Sequence, residues 1–196
     1  MLSTQMSFMD SVDRRVWEFF VDNPFLTGFA RFVTQFGVAP VLLPVAAVVG
    51  MVVWRSTRSA HHAVLPFVSV YVATVSVSSL KDWADVPRPP REMWLTTVTS
   101  ASFPSGHVGV TTAFLAAVCI VVSREFPDRR RVALWSATAG SMLMGWTRLA
   151  LNVHWLSDVV GGLFVGVAVT FAVTRILDGV RSRRESRPRT PGAPAG

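Results

Sequence analysis

The chain has 196 residues, of which 51% are hydrophobic and only 16% are charged, and its formal net charge at neutral pH is +7. A soluble domain carries about 25% charged residues, so the composition favours a membrane protein over a soluble globular one. The basic residues lie in short clusters between apolar runs, a pattern of membrane topology that disfavours nucleic acid as a partner, and the single cysteine excludes an internal disulfide framework.

The N-terminal segment, residues 1–36, alternates aromatic clusters with charges and is interrupted at Asn23-Pro24. This pattern predicts two amphipathic helices that lie in the membrane interface. A degenerate sixth span in the same segment is the alternative, and it would place the N-terminus in the cytoplasm. No cleavable secretory signal is expected, because the segment begins with polar and charged residues.

Five uncharged apolar runs follow, each near the lower length limit for a transmembrane helix. They are residues 38–54, 63–80, 108–122, 132–146 and 159–174. Five such runs, separated by charged segments, predict an all-α integral membrane protein, a helical bundle with five transmembrane helices. We therefore divide the chain into N-terminal interfacial helices (1–36), a transmembrane domain (37–178) and a disordered basic tail (179–196).

The arginines predict which side of the membrane each link faces. Most of them lie in the links after the first and third runs and in the C-terminal tail. Five spans put these three segments on one side, which the positive-inside rule identifies as the cytoplasm. The N-terminal segment and the links at 81–103 and 148–158 are then expected outside.

The link after the second run is unusually polar for the mouth of a membrane helix, and it reads LKDWADVPRPPRE. Lys81, the only lysine of the chain, ends the run, and Arg88 follows before Pro89. Taken singly, either cation is explained as a helix-end side chain that snorkels to the interface, followed by a proline-rich loop.

A second polar stretch, SFPSGHVGV, opens the third run. Pro104 and Ser105 predict a helix N-terminus, and Gly106 lets the backbone approach a ligand. His107 lies in the first turn, where free backbone N–H groups can form an anion site. Taken alone, the stretch also fits an N-cap beside a surface histidine.

The third polar stretch, GWTRLALNVHWLSDVV, leads into the last run and carries Arg148, His154 and Asp158. A histidine and an aspartate four residues apart can share one helical face and form a hydrogen bond. By itself this is a local polar pair, and Arg148 alone is explained as a snorkelling side chain.

The predicted topology brings the three stretches to one membrane face. There they combine three cations, a helix start with free N–H groups, two histidines and one carboxylate. Cations and N–H groups are what a phosphate requires. A histidine oriented by an aspartate can be a nucleophile, and a second histidine can be a proton donor. No cysteine or carboxylate cluster accompanies them, so we expect neither a metal site nor a cofactor.

The order and spacing of these residues resemble the three-part signature of the type 2 phosphatidic acid phosphatase superfamily. That family includes membrane lipid phosphate phosphatases, bacterial phosphatidylglycerophosphate and polyprenyl diphosphate phosphatases, soluble acid phosphatases and vanadium haloperoxidases. The match extends from Lys81 to Gly162, and three motifs in order make it specific. The third motif of the family usually begins with serine. Thr147 occupies that position here, and threonine also carries a hydroxyl group. Many membrane members have six spans, one more than we expect here.

The resemblance implies a phosphate-binding set. Lys81, Arg88 and Arg148 would hold the phosphate oxygens and stabilise the charge of the transition state. The backbone N–H groups of Ser105 and Gly106, with the Ser105 hydroxyl, would complete the cradle.

The resemblance also implies three catalytic residues. His154 would attack phosphorus to give a phosphohistidine, and Asp158 would fix its tautomer and orientation. His107 would protonate the leaving oxygen and then help to activate the water that releases phosphate. No metal enters this mechanism.

These expectations describe a metal-independent lipid phosphate phosphatase of the cell membrane, with its site on the extracytoplasmic face and its tail in the cytoplasm. Its partners would be the bilayer and a lipid phosphate. An undecaprenyl or other polyprenyl diphosphate is the favoured substrate, and phosphatidate and phosphatidylglycerophosphate are the alternatives. Two other functions stay open: a vanadate-dependent haloperoxidase-like enzyme, which several spans disfavour, and a non-catalytic lipid-binding or transport protein, which a complete catalytic set disfavours.

Overall fold

The computed structural model describes residues 2–24 and 26–185, and this part of the chain forms α-helices and short 3-10 turns without a β-strand. The predicted all-α class is therefore confirmed for the described residues. Most of the predicted disordered tail, residues 186–196, lies outside them.

Two helices form the N-terminal segment, where two were predicted. Helix α1 extends over Leu2–Asp22 and α2 over Thr27–Thr34. The chain leaves the helical conformation at Asn23-Pro24, because proline has no N–H group and restricts the residue before it. A 3-10 turn, Gln35–Gly37, then leads into the bundle. The interfacial position of these helices stays a prediction.

Each of the five apolar runs lies within one helix, except that Val38 at the start of the first run is the N-cap residue of its helix. The helices are α3 (Ala39–Thr57), α4 (Ala60–Ala84), α5 (Gly106–Glu125), α6 (Arg130–Ala150) and α7 (Leu156–Glu185). Residues 179–185, which we had assigned to the disordered tail, instead continue α7. The physical reason is composition, because this stretch is rich in arginine, a good helix former, and the first proline comes only at position 188.

Four helices are long and apolar enough to cross a membrane: α3, α4, α5 and the Leu156–Arg183 part of α7. Helix α6 does not reach the same hydropathy, although its 21 residues extend over about 32 Å at the helical rise per residue. Two arginines at its start, one near its end and several serine, threonine and glycine residues between them lower its mean hydropathy. The described residues thus contain four candidate spans by hydropathy, and the count of five or six spans stays a prediction.

Helix α5 lies at the centre of the bundle and packs against α4, α6 and α7, while α3 packs against α4. The outer faces of the bundle expose large apolar side chains, as expected where the surrounding solvent is lipid. Examples are Val48, Met51, Val52, Phe67, Tyr71, Val75, Phe164, Val167 and Phe171.

Two glycines let α5 and α7 approach closely. A Cβ atom at Gly162 would lie 2.7 Å from the Ser105 carbonyl oxygen, and one at Gly166 would lie 2.6 Å from the Gly109 carbonyl oxygen. Small residues one turn apart are the usual means by which membrane helices come into backbone contact. This contact sets the start of α5 directly beside the start of α7.

We expect Gly162→Ala to destabilise the protein by about 1–3 kcal/mol, the usual range for overpacking. The added methyl group meets backbone atoms of α5, which cannot rotate away. Thermal unfolding in detergent measures the effect. Gly179→Ala is the matched control, because it lies in the same helix and a Cβ atom there has no neighbour within 4 Å. Equal stability of the two variants would contradict the close contact.

The chain order brings five helix termini together at one end of the bundle. Helices α4 and α6 end there, and α3, α5 and α7 begin there. Helix α1 contacts α6 and α7, and α2 contacts α6. The arginine-rich link between α5 and α6 and the C-terminal part of α7 lie at the opposite end.

Candidate active site

A cavity of about 300 Å³ opens among these five helix termini and the loop that follows α4. Six of the eight predicted site residues line it: Lys81, Arg88, Gly106, His107, Arg148 and His154. The other two, Ser105 and Asp158, are fully buried directly behind its wall. The structure therefore brings the three polar stretches of the sequence to one place.

His154 and Asp158 form the predicted hydrogen bond. The distance between His154 Nδ1 and Asp158 Oδ2 is 3.0 Å. His154 lies in the turn before α7, whereas Asp158 lies in the first turn of that helix, so the pair does not share a helical face as we expected. Asn152 in this turn has a left-handed φ of 56°, a conformation that asparagine tolerates better than most residues.

The contacts of His154 define its tautomer. Because the Asp158 carboxylate accepts a hydrogen bond from His154 Nδ1, Nδ1 carries the proton and Nε2 keeps its lone pair. Arg88 donates to Nε2 through Nη1 at 3.2 Å. Burial lowers the pKa of His154 well below its usual range, and the positive charges of Arg88 and Arg148 lower it further. The imidazole is therefore neutral at physiological pH, which is the form that can attack an electrophile.

Arg88 is held by backbone carbonyl groups on both sides of the cavity. Its Nε donates to Ser100 O at 2.8 Å and its Nη1 to Val153 O at 2.5 Å. Burial lowers the pKa of Arg88, and the charge of Asp158 opposes that effect. An arginine remains charged under these conditions. The loop that bears Arg88 is thus fastened to the turn that bears His154.

The other two cations are also anchored, and both are buried, whereas Arg88 is half-buried. Lys81 Nζ donates to the carbonyl oxygens of Ala101 and Ser102, the latter at 3.1 Å. Arg148 Nη1 donates to Thr34 Oγ1 at 2.6 Å, while its Nε is buried with no hydrogen-bond partner among the described residues. Three positive charges around one small cavity repel one another, so the arrangement favours an anionic ligand.

The start of α5 corrects one expectation. The Ser105 N–H group, which we expected to bind phosphate, instead donates to the backbone carbonyl of Asp158 at 2.9 Å. The close packing of α5 on α7 places these two groups in contact, so the N–H group is already used. The Ser105 hydroxyl is buried and has no partner among the described residues. Helix α5 begins at Gly106, as predicted, and places His107 in its first turn.

Sequence reasoning missed two residues that support this site. Ser102 donates a hydrogen bond to Asp158 Oδ2, so the carboxylate has a second side-chain partner. Thr34, in α2, accepts the hydrogen bond from Arg148 described above. Neither residue has a local pattern that could have revealed it, because each contact joins distant parts of the chain. Within the described residues, no group of three His, Cys, Asp or Glu side chains is placed to hold a metal ion.

Comparison with known families agrees with the resemblance seen in the motifs. The family model of the PAP2 superfamily matches residues 62–181, which is more than half of the chain. The chain belongs to the PAP2 superfamily. The matched region contains all eight predicted site residues, from Lys81 to Asp158.

Individual PAP2 proteins are similar over most of the chain. Phosphatidylglycerophosphatase B of Bacillus subtilis (strain 168) is 26% identical over 158 residues, which cover 78% of this chain and 76% of that protein. A crystal structure of a transmembrane PAP2 type phosphatidylglycerolphosphate phosphatase from Bacillus subtilis matches with a TM-score of 0.79 and 23% identity, covering 87% of each chain.

The crystal structure of Aquifex aeolicus LpxE matches with a TM-score of 0.65 and 20% identity, covering 82% of this chain and 93% of that one. At these identities the structural matches establish the fold. With four apolar helices of spanning length and the fold of a transmembrane PAP2 protein, the chain is a multi-pass membrane protein.

Proposed function

We propose that this protein is a lipid phosphatase that hydrolyses a phosphate ester of a membrane lipid through a phosphohistidine at position 154. The observation that carries the proposal is the neutral His154, which is hydrogen-bonded to Asp158 and faces a cavity lined by three cations, Lys81, Arg88 and Arg148. The cavity lies at the ends of apolar helices, where a lipid head group can enter while its tails stay in the bilayer.

In the first step, Lys81, Arg88 and Arg148 bind the phosphate oxygens. The lone pair of His154 Nε2 forms a bond to phosphorus as the bond from phosphorus to the lipid oxygen breaks. His107, which the negative charge of the bound phosphate favours in its protonated form, gives its proton to that leaving oxygen. Asp158 stabilises the positive charge that develops on the imidazole, and the three cations stabilise the charge on the phosphoryl oxygens.

In the second step, water attacks phosphorus and the bond to His154 Nε2 breaks. His107, now neutral, takes a proton from the attacking water, so it acts as acid and then as base. The electrons of the broken bond return to the imidazole, and inorganic phosphate leaves. The cations remain in place throughout, and no metal is required.

The substrate is a lipid with a terminal phosphate or diphosphate. The similarity to phosphatidylglycerophosphatase B supports phosphatidylglycerophosphate as the first candidate. Polyprenyl diphosphate, the substrate that the sequence favoured, and phosphatidate stay as alternatives, because the cavity recognises the phosphate group that all three share.

The proposed orientation places the site outside and the C-terminus in the cytoplasm. Helix α6 supports it, since it begins with Arg130 at the arginine-rich end of the bundle and ends beside Arg148 in the site. It therefore runs the length of the bundle against α5 and acts as a fifth crossing despite its lower hydropathy. Helices α1 and α2 then lie near the outer interface.

An assay of the purified protein on these three lipids, with and without a chelator of divalent cations, tests the function. We expect phosphate release from at least one lipid, at a rate that the chelator does not change, because the three cations supply the positive charge. Loss of turnover with the chelator would contradict the metal-independent mechanism. Lipid movement across vesicles without hydrolysis would indicate a transport protein instead, and halide oxidation after loading with vanadate would indicate a haloperoxidase.

A further inference from the structure

Helix α1 contacts the catalytic end of the bundle through a buried carboxylate. The side chain of Asp13 is only 8% exposed. Its Oδ1 accepts a hydrogen bond from the Ser157 backbone N–H at 2.8 Å, and its Oδ2 accepts one from the Ser157 hydroxyl at 2.6 Å. One aspartate thus binds two donors of a single residue that is 144 positions away in the sequence.

The contact caps the start of α7. The first N–H groups of a helix have no partner within the helix, and a carboxylate is favourable there because of the helix dipole. Such caps usually come from the residue just before the helix, whereas Asp13 supplies this one from another helix. Trp17, one turn further along α1, adds a ring contact with Trp155, with centroids 6.2 Å apart.

The capped turn is the one that carries the proposed nucleophile and its partner. Ser157 directly precedes Asp158, and the Trp155 N–H donates to Asp158 Oδ2 at 2.8 Å. Trp155 and Ser157, which α1 contacts, therefore both lie in the short segment between His154 and Asp158. Movement of this turn would change the distance and angle between Nδ1 and the carboxylate.

We infer that Asp13 is a positioning residue, and that α1 belongs to the active-site scaffold in addition to its predicted place in the membrane interface. This inference rests on the proposed function. Asp13 touches neither the cavity nor the three cations, so it acts on the catalytic pair through Ser157. Loss of the cap should affect the chemical step and leave phosphate binding intact.

The test compares three variants in the full-length protein in detergent. For Asp13→Ala we expect kcat to fall about 10- to 100-fold, the effect of a small misplacement of a reacting group. The KM for the lipid and the inhibition constant for inorganic phosphate should not change, because the cations keep their own anchors. Asp13→Asn should restore most of kcat, since its amide oxygen can still accept from the Ser157 N–H and its NH₂ group can donate to the hydroxyl oxygen.

Asp10→Ala is the matched control, because Asp10 is an exposed aspartate on the same helix. Wild-type kcat in Asp13→Ala would overturn the inference, as would equal losses in Asp13→Ala and Asp10→Ala, or a loss confined to KM. If Asp13→Ala does not fold, Ser157→Ala decides: a lower kcat with an unchanged KM supports positioning, and an unchanged kcat overturns it. Absence of hydrolysis in the wild-type protein would instead refute the proposed function.

Discussion

His154→Ala is expected to lower kcat by at least about 10⁴-fold, the scale seen when a covalent nucleophile is removed. The imidazole Nε2 is the only atom that the mechanism provides to attack phosphorus, and alanine leaves nothing in its place. Lys81, Arg88 and Arg148 are unchanged and still bind the head group, so the variant should retain affinity for inorganic phosphate. Two measurements separate the loss of turnover from the retained affinity: the rate of phosphate release from the preferred lipid, and the binding of inorganic phosphate to the variant.

His61→Ala provides the matched control. His61 is also a partly buried histidine bonded to an aspartate, Asp178, at 3.2 Å, but it lies at the opposite end of the bundle. Its replacement should leave kcat close to the wild-type value, and thermal unfolding should show that both variants are folded. A folded His154→Ala variant with substantial turnover would mean that another group attacks phosphorus.

Asp158→Asn is expected to reduce kcat by about 10²- to 10⁴-fold, by analogy with the loss of the histidine-orienting aspartate in other hydrolases. Asp158 Oδ2 accepts from three donors: Ser102, His154 and Trp155. If the new NH₂ group faces His154, it places a donor against Nδ1, which favours the tautomer whose Nε2 carries the proton and cannot attack. If it faces away, the imidazole still loses the negative charge that stabilises its cationic form.

The comparison for this variant is Asp178→Asn, which makes the same change near the other end of α7. Asp178 pairs there with Arg124 at 2.7 Å, so its replacement removes a surface ion pair, worth about 1 kcal/mol or less. We expect near-normal kcat from Asp178→Asn and a large loss from Asp158→Asn at similar thermal stability. Equal activity of the two variants would show that the carboxylate has no part in orienting His154.

Local patterns in the sequence predicted the helices well, and the residues that they indicated for the site lie together in the structure. Each apolar run became a helix, because in a bilayer the backbone must satisfy its own hydrogen bonds. Lys81, Gly106 and Arg148 lie near helix termini. Because successive helices cross the bundle in opposite directions, these termini lie at the same end. The family resemblance then supplied their roles.

What the sequence did not predict depends on packing between distant segments. Asp13, Thr34 and Ser102 are single polar residues without a periodic pattern, and each supports the site through a contact that only the folded chain creates. The Ser105 N–H group was misassigned for the same reason, since the close approach of α7 to α5 gives it a carbonyl partner. Hydropathy identifies four spans and leaves α6 out, because the uncharged run in α6 contains serine, threonine and glycine residues that lower its mean hydropathy.

The most direct test of the account is to identify the residue that carries the phosphoryl group during turnover. The protein is mixed with a lipid whose terminal phosphate is radiolabelled, and the reaction is stopped with alkali within the first turnover, since a phosphorus–nitrogen bond survives base better than acid. We predict label on His154 in the wild-type protein and no labelled protein in His154→Ala. Label on another residue, label retained by His154→Ala, or turnover without any labelled protein would contradict the account.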